Sequence, residues 1–182
     1  MARYTTVDKL TFSTDAISAL GTGLSAGTSN LAAMANSGTA GYFGGGYVSG
    51  YVATVDKFAF PGDGRSTLGT GLSAARSGVR GMANSGTAGY FAGGSTGSNV
   101  ATVDKFAFPG DGRSTLGTGL SAAIRDLGGM ADSGTAGYFG GGYSFSDTVD
   151  KFAFSDDSRT TLGTGLSAAT SDLAGFANSG TL

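Results

Sequence analysis

The stretch Thr54–Ala75, TVDKFAFPGDGRSTLGTGLSAA, returns without a change at Thr102–Ala123. Its opening TVDK also stands at Thr6 and Thr148, so four copies follow one another at spacings of 48, 48 and 46 residues. Repetition at such a period marks an array of small supersecondary units, each too thin to bury a core alone. Around TVDK recur LGTGLS in four copies, a GGG or AGG run, and an (N/D)SGTAGYF stretch whose AGYF occurs three times.

Each unit reads as four short strands separated by turn chemistry. In TVDKFAF, Phe58 and Phe60 lie on one side of the pleat and Val55, Lys57 and Ala59 on the other. PGDGRS then stops the strand, because Pro and Gly punctuate and Asp favours a turn. TLGTGLS is expected to be the next strand, with Leu68, Thr70 and Leu72 on one face and Gly69, Gly71 and Ser73 on the other. That glycine face lets another backbone or a ring approach closely. GMANSGTAGYFAGG reads as a hairpin turning at Asn84-Ser85-Gly86, with Tyr90 and Phe91 on opposite faces of its second arm. No stretch sustains a helical apolar period free of glycine.

Composition sets the class. Glycine fills 35 of 182 positions and Leu, Ile, Val and Phe together another 35, so the core is thin and relies on close backbone contact. A net charge of −2 argues against disorder by charge. It also provides no electrostatic footprint for nucleic acid or an anionic membrane. There is no apolar run for an N-terminal signal or a membrane span. His, Cys and Trp are absent, as are Glu and Gln, and all 13 acids are Asp. A Ser-His-Asp triad, a Cys nucleophile and a His or Cys metal centre therefore cannot be drawn.

About 47 residues in four strands, repeated, is the pattern of propeller blades. The order here is a hairpin ending in a glycine pair (Gly93-Gly94), a Val-Asp strand, a turn and a shorter strand. It resembles the kelch repeat over essentially the whole chain. Kelch repeats carry a Trp near the start of the last strand, where this chain has Leu20, Leu68, Leu116 and Leu162. The TVDKFAF…LGTGLS…GYFAGG units also look like those of uncharacterised proteins of marine bacteria and their tailed phages. The resemblance implies an all-β, kelch-like β-propeller of about four four-stranded blades in a single repeat domain, residues 1–182, with units near 6–53, 54–101, 102–147 and 148–182. Met1–Ser25 would supply the third and fourth strands of one blade, and the chain would end at NSGTL after the first strand of another, for fifteen strands in all. The incomplete blade, split between the termini, would then close imperfectly or take a strand from a neighbouring subunit.

Three motifs have a chemical reading and a structural one. GTG at Gly21-Thr22-Gly23 and Gly69-Thr70-Gly71 lacks the lysine, the spacing and the helix of a phosphate loop, and reads as structural glycine. PGDGRS, with Asp63 and Asp111, resembles a fragment of an integrin-type calcium loop but has too few carboxylates for six to eight oxygen ligands. Asp56 and Lys57 with their copies Asp8/Lys9, Asp104/Lys105 and Asp150/Lys151 point to opposite faces, so cross-strand partners or solvation account for them. A galactose-oxidase-like copper centre, known on kelch propellers, needs the missing His and Cys. No catalytic residue, metal or cofactor is expected.

The repeats differ in two connections, the one after GGG/AGG and the one after LSA(A), while PGDGRS and NSGT vary little. Alternate connections of a four-stranded meander emerge on the same side, so both variable ones fall on one face. That face is expected to carry Tyr47, Tyr51, Arg76, Arg80, Arg125, Asp126, Tyr143, Phe145 and Asp147 as partner-binding residues. Tyr and Arg are enriched at recognition surfaces, and loops on a rigid scaffold carry function; drift after duplication is the alternative. The expected function is a non-catalytic structural or recognition protein, a component or appendage of a virion or extracellular surface, with protein partners through self-assembly or other virion subunits. The alternative is a carbohydrate-binding adhesin that stacks a cell-surface glycan on the aromatics of the variable face. An Asp-only glycosidase, with Asp126 and Asp147 as its carboxylates, ranks last.

Overall fold

A computed structural model describes residues 3–175 of the chain. It contains fourteen strands among those residues: β1 (Asp8–Thr11), β2 (Ala16–Ala19), β3 (Ala32–Asn36), β4 (Ala40–Gly44), β5 (Val55–Ala59), β6 (Gly64–Thr67), β7 (Arg80–Asn84), β8 (Ala88–Ala92), β9 (Val103–Ala107), β10 (Gly112–Thr115), β11 (Gly128–Asp132), β12 (Ala136–Gly140), β13 (Val149–Ala153) and β14 (Arg159–Thr161). They form three four-stranded antiparallel meanders, β3-β4-β5-β6, β7-β8-β9-β10 and β11-β12-β13-β14, preceded by the two-stranded half-sheet β1-β2. The fold is all-β and propeller-like, but its sheets do not close into a ring among the described residues. The expected fifteenth strand, the one leading into NSGTL at 178–182, extends into residues outside those described.

Local chemistry sets each meander. The NSGT turns place Gly38, Gly86 and Gly134 at positive φ, and the third-to-fourth-strand turns place Asp15, Asp63, Asp111 and Asp157 there. Asp tolerates that left-handed conformation better than most side chains. The fourth strand departs from expectation. It is Gly64–Thr67 and its equivalents, because Arg65 and Thr67 pair directly with Phe58 and Asp56 as soon as the turn ends. LGTGLS peels away instead and runs beneath the preceding connection, where Leu72 donates its N–H to Ala53 O and is buried. Its glycine face does receive backbone: a Cβ on Gly71 or Gly119 would overlap the carbonyl of Ala53 or Ala101.

The two faces of the second strand serve two neighbours. Phe91 turns back onto Gly44 of the previous sheet and meets Phe106 edge-on at 5.8 Å, while Tyr90 turns forward and stacks on Phe154 at 5.6 Å. One apolar cluster thus fills the interval between the first and second full sheets and another that between the second and third. Burying a side chain of this kind is worth ~1.5–3 kcal/mol, so a few rings per interval offset the glycine-rich strands. The first strands β3, β7 and β11 stand side by side. At their ends Gly78 N–H donates to Asn30 O, Asp126 N–H to Gly78 O and Asp172 N–H to Asp126 O, at 2.9, 2.9 and 3.0 Å. This backbone ladder fixes the same step from each sheet to the next.

The polar seams repeat as faithfully. Lys9, Lys57 and Lys105 each reach the turn aspartate of the following sheet, Asp63, Asp111 and Asp157, at 2.6 Å. Ser25, Ser73 and Ser121 each give a backbone N–H and a hydroxyl to Asp56, Asp104 and Asp150 of the following sheet. Thr67, Thr115 and Thr161 complete those carboxylates from within the sheet. Asp56 and Lys57 are therefore seam residues, as the cross-strand reading expects.

Tyr42 and Tyr90 donate to Asp111 and Asp157 at 2.7 Å. Burial, then the bond to an anionic acceptor, pushes the Tyr42 phenol up to about 12 and the Tyr90 phenol higher. A folded-state pKa above the unfolded value means stability that is complete below pH ~10 and lost as pH rises through the folded value. An alkaline titration followed at the phenolate absorbance is expected to show a late step coincident with loss of β-structure. Tyr42→Phe removes part of that step; an unchanged step would contradict the assignment.

Candidate functional site

The isolated bridges Ser29–Tyr47, Ser77–Ser95 and Ser146–Thr170 join the two kinds of variable connection to each other. Both therefore lie on one face. On the opposite face the NSGT turns are linked in a row, Ser37 N–H to Ser85 Oγ and Ser85 N–H to Ser133 Oγ.

The variable face brings most of the candidate residues together. Tyr47 and Tyr51 meet edge-on at 5.5 Å, with the Arg3 guanidinium 5.1 Å from the Tyr47 ring. Arg125 lies 3.8 Å from the centre of the exposed Tyr143 ring, a close cation–π pair, and its Nε donates to Asp126 at 3.2 Å. Arg80 approaches the other Asp126 oxygen at 4.0 Å. Tyr51, Arg125 and Asp126 share one cleft of about 270 Å³, lined also by Asn30, Ser77, Gly78 and Ser95. Such a surface offers two aromatic faces, one free edge of a guanidinium and one carboxylate.

Three candidates stand apart. Arg76 is a correction: it is fully buried, donating to Asp104 at 2.8 Å and to the Phe91 carbonyl at 3.3 Å. Burial pulls its guanidinium pKa down while Asp104 draws it back. It belongs to a seam and not to the exposed face: its backbone is held as at Ile124 and Thr170, with its carbonyl accepting from Gly46 N–H as theirs do from Gly94 and Gly142. That position sends the side chain into the interval between sheets, where Ile124 also packs. Asp147 is exposed, and its carbonyl accepts from Leu166 N–H. Phe145 is exposed and sits at φ 59 beside Ser144 at φ 75. A non-glycine residue held there costs ~1–3 kcal/mol. Phe145→Gly is expected to raise the unfolding midpoint in urea; a lowered midpoint would mean that the ring packs against something.

The residues that organise the molecule most strongly, Asp104 and the turn aspartates, were not candidates for binding. Their signal in the sequence is invariance across units, which a binding face need not show. Among the described residues no three His, Cys, Asp or Glu side chains are grouped to hold a metal ion. None of their helices is long and apolar enough to cross a membrane.

No protein-family model matches the chain. No curated protein matches it either. Among solved structures it is similar to that of YjhT, with a TM-score of 0.64 and 12% identity, over 82% of this chain and 56% of that one. The chain thus spans little more than half the length of YjhT, and at this identity the likeness concerns the fold alone.

Proposed function

We propose that this chain is a non-catalytic structural and recognition protein that acts through protein–protein assembly on a kelch-like propeller scaffold, as a component or appendage of a virion or other extracellular surface. The observation that carries the reading is how the ionic chemistry is used. The repeated Asp, Lys, Ser and Tyr groups are consumed in seams between sheets, and among the described residues the same groups recur without partners only on the first and last sheets. A protein so built spends its polar residues on joining β-sheets. The near-identity of the units and their likeness to phage-borne repeats support the virion setting. Light scattering across a concentration series tests the reading: masses above 17.8 kDa that grow with concentration are expected, and a monomer throughout would overturn it.

A second reading, glycan binding, is favoured by the Tyr47–Tyr51 pair and the Arg125–Tyr143 stack around the shared cleft. On a glycan array it predicts signals that Tyr51→Ala and Tyr143→Ala each reduce at least tenfold. An array silent with the wild-type protein would end that reading.

A further inference from the structure

Resting on the assembly reading, we propose that its partner is a second copy of this chain. The last sheet of one copy docks on the half-sheet of the next, in the register that the internal seams use.

Every seam has a direction. The earlier sheet supplies Lys, Ser and Tyr donors, and the later sheet supplies the aspartates: Lys57 and Tyr42 to Asp111, Lys105 and Tyr90 to Asp157, Ser73 to Asp104, Ser121 to Asp150. The apolar parts follow the same direction. Tyr42 and Tyr90 stack on Phe108 and Phe154, and the Met34 and Met82 side chains lie over Gly89 and Gly137.

The half-sheet and the last sheet hold the two halves of one more such seam. At the donor end Tyr138, Lys151 and Ser167 occupy the places of Tyr90, Lys105 and Ser121 and make no side-chain hydrogen bond among the described residues. Met130 is 45% exposed where Met34 and Met82 are 7% and 4%. At the acceptor end Asp8 and Asp15 are exposed and likewise without partners, and Phe12 is 87% exposed where Phe108 and Phe154 are each 8%. The acceptor is already shaped for the contact. Asp15 holds φ 53, against 56, 57 and 59 at Asp63, Asp111 and Asp157. The half-sheet is also joined to its own successor through Lys9–Asp63 and Ser25–Asp56, although without a tyrosine strand it leaves Phe60 43% exposed there.

Charge and shape thus match between the faces: an ammonium, a phenol and a hydroxyl against two carboxylates, and a tyrosine ring against an uncovered phenylalanine. Within one chain they do not meet. The backbone ladder fixes every step, and after three steps no strand of the last sheet makes more than a marginal contact with β1 or β2 among the described residues. A second copy brings them together without disturbing any internal seam. Such a contact is heterologous, giving a ring if its rotation closes and a filament if it does not. The outer edge of β1, where the full sheets carry their second strand, adds unpaired backbone groups at the joint. Ile17 and Ala19 stand where full sheets have Arg and Thr beside the seam acid, so Asp15 carries more of the contact than Asp8.

Charge reversal tests the proposal. Lys151→Asp and Asp15→Lys alter exposed or half-buried side chains without internal partners among the described residues, so each variant keeps the wild-type circular dichroism; Lys at the positive φ of position 15 lowers the unfolding midpoint without unfolding the chain. Each alone is expected to weaken self-association at least tenfold by light scattering at low salt. Mixed in equal amounts they restore it, because each copy then finds an opposite charge on its neighbour, an outcome that closure within one chain cannot produce. Oligomers that persist in both single variants would overturn this joint while leaving the assembly reading intact. A wild-type protein that stays monomeric would overturn both. Loss in both variants without recovery on mixing would overturn the pairing of Lys151 with Asp15.

Discussion

Asp104→Ala is expected to destabilise the chain by ~3–5 kcal/mol, the cost typical of removing one partner from a buried ion pair. Asp104 has no exposed side-chain surface and accepts from Ser73 N–H and Oγ, from Arg76 and from Thr115, all within 2.9 Å. Truncation leaves the buried Arg76 guanidinium with the Phe91 carbonyl at 3.3 Å as its acceptor, whereas the exposed Ser73 and Thr115 can turn to water. The reverse truncation is milder. Arg76 has Nε and one terminal nitrogen buried without a partner, so it contributes less than its charge suggests. The protein contains its own control in the next seam, where Ile124 stands in that place and Asp150 is held by Ser121, Thr161 and Arg159 alone. Arg76→Ile is therefore expected to change stability by about 1 kcal/mol or less. Urea midpoints of the two variants check both figures; an equal loss would mean that the buried pair, and not the carboxylate cradle, holds the seam.

Gly119→Val is expected to cost several times what Gly117→Val costs, although both glycines lie in the same LGTGL motif. A Cβ at Gly119 overlaps the Ala101 carbonyl, which cannot give way because it also accepts the Leu120 N–H at 2.8 Å. The segment must lift, break that bond and withdraw the buried Leu120 from the core. Overpacking of this kind costs ~1–3 kcal/mol, and more where backbone is the obstacle. At Gly117 an added Cβ meets nothing within 4 Å. Thermal unfolding of the pair separates a glycine needed for close approach from one that is not, and equal midpoints would contradict the packing described.

Much of this architecture is legible in the residues. The TVDK spacing sets the units, turn chemistry sets four strands in each, and the parity of a meander puts both variable connections on one face. The glycine face of LGTGL announces a close backbone neighbour, though not that the segment leaves the sheet. Strand pairing decides that point: Gly64–Thr67 saturates the available edge of β5 almost at once. Arg76 misleads for a physical reason. Variation among repeats reports only that a site is free to differ, and Arg76 differs by entering a seam where Ile124 packs and Thr28 turns aside. The turn aspartates were hard to place because their lysine partners lie one unit plus a few residues away. Lys9 and Asp63 are separated by 54 positions, and pattern within a single strand says nothing about such a distance.

The identity of Thr54–Ala75 and Thr102–Ala123 has a genetic consequence once the seams are known. Unequal exchange between the two stretches excises or inserts one 48-residue unit, joining β4 to β9 in the pairing that β4 makes with β5. After excision Lys9 faces Asp111 and Ser25 faces Asp104, so the lysine and serine contacts of the seam are remade with residues of the same type, while Thr28 stands where Arg76 met Asp104. Length in this protein can change by whole units without passing through a misfolded intermediate, and that leaves reach, not fold, as the property open to selection.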